Sequence, residues 1–319
     1  MINPPLPIHP FLTAFAHCDT LLSRCVIALG ETNSHALLAS RGLAPALLAR
    51  FQNGLLYRFL RGHPTSHLEL AQTSIWRGVA TRLGQWHAVL PIDGDPLAPA
   101  NATKDPGGTI AAQPQPEADF PLIQTRHPGP NLWTTLQKWI LVLPTATEEQ
   151  RARRLSLQKE LERVVHEFDD GKGIGEYGVR SVLSTLSLSL SLSFRLLVQL
   201  TFNQLVFAHC DLLCANVIVL PTESGHSRSA DVQDVHFIDY EYANPSPAAF
   251  DLANHFAEWA GYDCDYSQVP TRSVRRAFLR EYVQSYRCHR GIPDSAQDDM
   301  VDQLYDDVER FRGIPGLYW

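Results

Sequence analysis

The chain has 319 residues, 45% of them hydrophobic, which suffices to bury a core large enough for two lobes. A formal net charge of −7 argues against a nucleic-acid partner and suits a cationic small substrate only weakly. The six cysteines (Cys18, Cys25, Cys210, Cys214, Cys264, Cys288) show neither CxxC pairs nor zinc spacing, which reads as reduced thiols in a cytoplasmic protein. No basic region precedes the apolar residues at the N-terminus, so neither a signal peptide nor a transmembrane segment is expected.

In chain order, the first predicted element is a helix over Ser34–Ala39, closed by Gly42. A strand pair follows, Ala46–Phe51 and Leu55–Leu60, joined by Asn53-Gly54; an Asn-Gly between apolar runs is the strongest short hairpin signal. Ser74–Val89 is an amphipathic helix ending in Trp86-His87, with His87 expected to be a buried, hydrogen-bonded core histidine. Asp93–Pro116 reads as a surface loop, and its Asn101-Ala102-Thr103 sequon carries no meaning in a cytosolic chain. Glu148–Phe168 is a long helix whose charges form a solvated face. Gly171-Lys172-Gly173-Ile174-Gly175 imitates a phosphate loop, but no Ser or Thr follows the lysine and no strand precedes it. Val179–Gln204 alternates Ser and Leu, as a period-two strand or a low-complexity insert would.

The chemistry-bearing stretch comes next. An apolar strand at Val206 runs into the loop His209-Cys210-Asp211 and on to Asn216; a second strand, Val217–Leu220, leaves it. A third strand, Val235–Ile238, ends on Asp239. Paired as an antiparallel hairpin, the start of the second strand lies beside the end of the third, so Asn216 and Asp239 become neighbours with Asp211 close by. One amide oxygen and one carboxylate suit Mg²⁺ carrying a nucleotide, and a separate carboxylate can orient and deprotonate a hydroxyl. This is the phosphotransfer half of a kinase-like site. Taken alone, the HxDxxxxN spacing is also that of an Asx-rich loop capping two strands. Asp239 at the end of a matching strand, followed by Asn244–Pro247 and the helix-like Ala248–Trp259, favours the site.

FAHCDLLCANVIV (207–219) and HFIDYEYANPSPAAFDLANHFAEWAGYDCDY (236–266) together resemble the choline/ethanolamine kinase family. Those enzymes move the γ-phosphate of ATP onto the hydroxyl of a small amino alcohol. The resemblance implies an α/β, protein kinase-like two-lobe fold. Residues 31–90 would form an abbreviated N-terminal lobe and 91–319 a mostly helical C-terminal lobe. SHALLASRGLAPALLARFQNGLLYRFLRG (34–62) is similar to the family's N-lobe after its first strands, and Leu132–Val142 is similar to a family helix. The resemblance makes Asp211 the catalytic base, with His209 beside it, and Asn216 and Asp239 the magnesium ligands. Asp251 falls on the helix aspartate that braces the catalytic loop. Glu258 falls on the acidic residue of the amino-alcohol pocket, with Tyr262, Tyr266 or Trp319 as aromatic neighbours; each tyrosine could equally be a core or rim aromatic. Glu31 falls on the helix glutamate that pairs with the ATP-anchoring lysine, although a glutamate there also simply suits the helix dipole.

Within the family, Leu213 stands where choline kinases tend to carry glutamine, and AGYDCDYSQVP (260–270) and FRGIPGLYW (311–319) resemble the ethanolamine branch. A primary ammonium can be held by a carboxylate such as Glu258, whereas a quaternary one relies more on aromatic faces. The implied reaction is phosphorylation of ethanolamine, the first step toward phosphatidylethanolamine, with choline as the alternative acceptor.

Three departures stand against the pattern. Residues 1–30 do not resemble the family's phosphate-covering hairpin, no lysine precedes Lys104, and Arg24 is the only Lys or Arg ahead of Glu31. One missing phosphate contact often costs on the order of 3 kcal/mol of transition-state stabilisation, so a catalytically silent member is the other alternative. The 179–204 stretch interrupts the pattern as an insert; its Val179 start (GT) and Gln204 end (CAG) fit a translated intron, which transcript sequencing across the junction tests. Finally, the family continues beyond Trp319 with a second pocket tryptophan and closing helices, so only one wall of the amino-alcohol pocket is expected.

Overall fold

The structure, a computed structural model, describes residues 34–51, 54–90, 92, 131–169, 205–221, 231–293 and 297–319. Glu31, the 1–30 segment, the 93–116 loop, the 171–175 glycine run and the 179–204 insert lie outside the described residues.

Helix α1 (34–40) ends where expected. Gly42 takes a left-handed φ of +68° and bonds to Ala39 O, and Leu43 N reaches back to Leu38 O. Strands β1 (Leu47–Phe51) and β2 (Gly54–Tyr57) pair antiparallel, with Phe51 opposite Gly54 and a register irregularity between Leu47 and Ala49. The second strand stops at Tyr57, three residues short of the expected Leu60. Strand β3 (His63–Pro64) and the capped turn of helix α2 (His67–Leu70) lead into α3 (Thr73–Val89). Ile75, Trp76, Val79, Ala80, Leu83 and Trp86 recur at helical spacing on α3 and are buried.

Helix α4 (Leu132–Leu141) is capped by Asn131, whose side chain accepts from Trp133 N and Thr134 N. Helix α5 (Glu148–Asp169) carries the solvated face expected of it, with Arg163 bridging Glu160 and Glu167 in the open. Strand β4 (Leu205–Ala208) pairs with β7 (Asn244–Pro247) in a two-stranded ribbon, Ala208 opposite Asn244. A 3₁₀ turn (Cys214–Asn216) precedes β5 (Val217–Val219), which lies between β3 and β6 (Val235–Phe237) in an antiparallel sheet.

Helix α6 (Ala248–Ala257) starts directly from β7 and is buried nearly all round. Two 3₁₀ turns (Glu258–Ala260 and Tyr266–Gln268) lead to α7 (Arg272–Arg290), α8 (Gln297–Phe311) and α9 (Pro315–Tyr318). Helices α3 and α7 pack closely; a Cβ added at Gly84 would lie 2.5 Å from Tyr282 O. Among the described residues, no helix is long and apolar enough to cross a membrane.

Candidate active site

The hairpin logic of the sequence is realised in β5 and β6. Val217 faces Phe237, and Ile238 N donates to Asn216 O at 3.0 Å, which puts Asn216 and Asp239 at the same end of the ladder. Asn216 Nδ2 donates to Asp211 O at 2.8 Å and to Asp211 Oδ2 at 3.2 Å. Its Oδ1 is thereby turned away from Asp211.

Two residues of this end hold a backbone geometry that side chains avoid: Cys210 at φ +63° and Asp239 at φ +65°. Such positions cost about 1–3 kcal/mol and persist only when their surroundings over-determine them. For Cys210 the surroundings are the polar face of α6. Asp251 Oδ1 accepts from Cys210 N at 2.8 Å and Oδ2 from His209 N at 3.0 Å. Asn254 Nδ2 donates to Cys210 O at 3.0 Å, and His255 Nδ1 meets Leu212 O at 2.7 Å. Asp251, Asn254 and His255 follow the i, i+3, i+4 spacing that lines up one helix face. The three side chains thus hydrogen-bond the 209–212 backbone, and Asn254 and His255 were not singled out from the sequence. Polar residues at helical spacing inside an otherwise apolar helix were the available signal.

His209 is fully buried. Its Nδ1 accepts from Asp211 N at 3.3 Å, so Nε2 carries the hydrogen and donates to Ile238 O at 3.0 Å. Burial pushes its pKa down, holding the ring neutral. With both nitrogens committed to backbone, His209 ties the Asp211 loop to the Asp239 strand.

Asp211 is pushed up to about 7, first by burial and then by the negative charges of Asp239, Glu258 and Glu241; the Asn216 bond opposes the rise. Acidic groups thus converge on one loop, an arrangement that favours binding positive charge. Burial also raises the Glu258 carboxyl. Glu258 lines a cavity of about 50 Å³ with Leu213, Cys214, Gly261 and Tyr262. Tyr262 stands at the edge of that cavity, largely exposed. Tyr266 is 79% exposed and does not join the lining, so the structure does not bring it to the Glu258 cavity.

Trp319 reaches the site through Asn254, its indole donating to Oδ1 at 3.1 Å. Its ring lies edge-on to Tyr242 (5.2 Å between centroids) and 6.1 Å from Trp139. Tyr242 and Trp139 were not singled out from the sequence. Tyr242 follows Glu241 at the end of the third strand, and Trp139 closes the aromatic pattern of α4, so both were visible as aromatics but not as neighbours. His87 is buried and hydrogen-bonded as expected, to Asp251 Oδ2 at 3.0 Å and to the Tyr282 hydroxyl at 2.8 Å.

The fold is a mixed α/β, protein kinase-like one. A Plasmodium vivax ethanolamine kinase structure superposes with a TM-score of 0.57 at 19% identity, covering 91% of this chain and 64% of that one. A Cryptosporidium parvum choline kinase structure gives a TM-score of 0.54 at 21% identity, over 91% and 69%. At these identities the likeness speaks for fold alone. Membership is carried by sequence: the choline/ethanolamine kinase profile matches residues 21–319, so the chain belongs to the choline/ethanolamine kinase family. Curated relatives include ethanolamine kinase 1 of Mus musculus, 26% identical over 91% of this chain and 63% of its own length. An ethanolamine kinase of Drosophila melanogaster is 30% identical over 91% of this chain and 44% of its own. The chain therefore spans about half to two thirds of the length of such relatives.

Proposed function

We propose that this chain transfers the γ-phosphate of ATP to the hydroxyl of a small amino alcohol, and that ethanolamine is the preferred acceptor. The observation that carries the reading is the constellation at the end of β5 and β6. There Asn216 and Asp239 lie at the same end of the ladder, and Asp211 is held against Asn216 by two hydrogen bonds. An amide oxygen and a carboxylate are a hard oxygen donor set, and two protein ligands are what Mg²⁺ takes when nucleotide phosphates complete its shell. Asn216 and Asp239 would hold that ion, which when bound supplies charge neutralisation at the phosphates.

Asp211 orients the acceptor hydroxyl and takes its proton. Asp251, Asn254 and His255 keep the loop in its strained shape. Glu258 receives the ammonium in a cavity where, among the described residues, Tyr262 is the one aromatic of the lining. That lining favours a primary ammonium, which binds through charge-assisted hydrogen bonds, over a quaternary one. We assign residues 31–90 to a partial N-lobe and 91–319 to the C-lobe. The four described cysteines are free, in keeping with a reducing, cytoplasmic setting.

The branch assignment is tested by measuring kcat/KM for ethanolamine and for choline at saturating Mg·ATP. A clear preference for ethanolamine supports it, and a preference for choline moves the chain to the other branch. The absence of lysine ahead of Lys104 favours a second reading, a silent member, which would turn over neither.

A further inference from the structure

The proposed reaction uses Asp211, and Asp211 depends on Asp251, but Asp251 itself rests on a group that no motif marks. His87, near the end of α3, sends Nε2 to Asp251 Oδ2 at 3.0 Å. A carboxylate only accepts, so Nε2 carries the hydrogen. On the other side of the ring, Nδ1 meets the Tyr282 hydroxyl of α7 at 2.8 Å. Both the His87 and the Asp251 side chains are entirely out of solvent. Three helices, α3, α6 and α7, thus meet at one imidazole.

From this geometry we infer that His87 is a positioning residue for the catalytic loop, acting through Asp251 on Asp211. Asp251 must stay ionised and correctly turned, because its two oxygens accept separately from His209 N and Cys210 N. Burial works against ionisation, and the His87 hydrogen bond heads the influences that overcome it. Without that donor, Oδ2 keeps only the His209 amide, and the largest influence opposing the burial penalty on the carboxylate is gone. A carboxyl that is protonated or turned is a poorer acceptor for the loop N–H groups, which loosens the left-handed Cys210 and, with it, the residue that follows. This role rests on the kinase reading for its catalytic consequence, but its structural consequence can be measured without turnover.

Two substitutions separate positioning from simple core support. His87→Gln places an amide nitrogen where Nε2 was, keeping the Asp251 donor and losing the Tyr282 contact. His87→Asn places its amide where Nδ1 was, keeping the Tyr282 contact and losing the Asp251 donor. Each removes one buried hydrogen bond, so a merely structural histidine would make the two alike. The readouts are hydrogen exchange of the His209 and Cys210 amides and the kcat and KM for ethanolamine. His87→Asn should speed exchange at the two amides by about tenfold or more, the equivalent of one hydrogen bond to a charged group. It should also lower kcat by a similar factor with KM unchanged, while His87→Gln stays near wild type in all three. Equal behaviour of the two variants at the loop amides overturns the inference. If the wild-type chain shows no phosphotransfer, the kinase reading fails, and the exchange comparison still decides the role of His87.

Discussion

Replacing Asp251 with asparagine keeps the shape of the side chain and changes only which atoms can accept. The carboxylate serves three donors: Cys210 N at 2.8 Å on Oδ1, and His209 N and His87 Nε2, both at 3.0 Å, on Oδ2. Asparagine has one acceptor oxygen. With that oxygen in the Oδ2 place, its NH₂ group faces Cys210 N–H; in the Oδ1 place, it faces His209 N–H. His87 can adapt by changing tautomer, but a backbone amide cannot, so one loop N–H is orphaned in either orientation. Losing a hydrogen bond to a charged group removes about 1.5–3 kcal/mol, and the buried unpaired donor adds about 1–3 kcal/mol. A destabilisation of about 3–5 kcal/mol is therefore expected, a large part of the 5–15 kcal/mol typical of a folded domain. Equilibrium urea unfolding of both proteins, with m-values compared, measures it. A change under about 1 kcal/mol at equal m would refute the view that these bonds hold the loop.

Acid should weaken the fold through His255, whose pKa burial lowers to about 4. Its ring is satisfied as a neutral tautomer, with Nδ1 on Leu212 O and Nε2 accepting from Trp259 Nε1. Between pH about 6.5 and 4 the unfolded chain binds the proton and the folded one does not, so stability falls as pH falls, by about 2 kcal/mol from pH 6.5 to 5. His255→Asn, which keeps a donor for Leu212 O, should flatten that slope by about one proton; identical slopes would contradict the assignment. Gly84→Ala should cost about 1–3 kcal/mol in thermal or urea unfolding, because its methyl would meet the Tyr282 backbone where α3 crosses α7. Glu258→Gln should raise KM for ethanolamine about tenfold or more in steady-state assays, as expected when the charge on one side of an ammonium contact is removed. An unchanged KM would take Glu258 out of the pocket.

Much of the catalytic end was legible because its signals are local. Asn216 and Asp239 share one end of a ladder because two short apolar strands pair antiparallel with Val217 opposite Phe237, and Gly42 closes α1 because only a left-handed residue ends that turn. The β4–β7 ribbon was not legible. Pro245 and Pro247 lack amide hydrogens, and a strand carrying them survives only as an edge, so nothing in Asn244–Pro247 marks it as a strand. Nor could the two backbone bonds of the buried His209 be read from spacing, since one of them reaches Ile238 across 29 positions. The contact of His87 with Asp251 spans 164 positions, and no periodicity encodes a meeting of that kind. The aromatic group of Trp139, Tyr242 and Trp319 escaped for the same reason, since α4, the loop after β6 and the residue after α9 come together only in the folded chain.

Phosphotransfer at Asp211 would show itself as production of phosphoethanolamine from Mg·ATP and ethanolamine by the purified 319-residue chain. Turnover is expected in the wild type and is expected to be lost in Asp211→Ala, with both proteins folded. Folded wild-type protein that makes no phosphoethanolamine, or a variant as active as wild type, would contradict it.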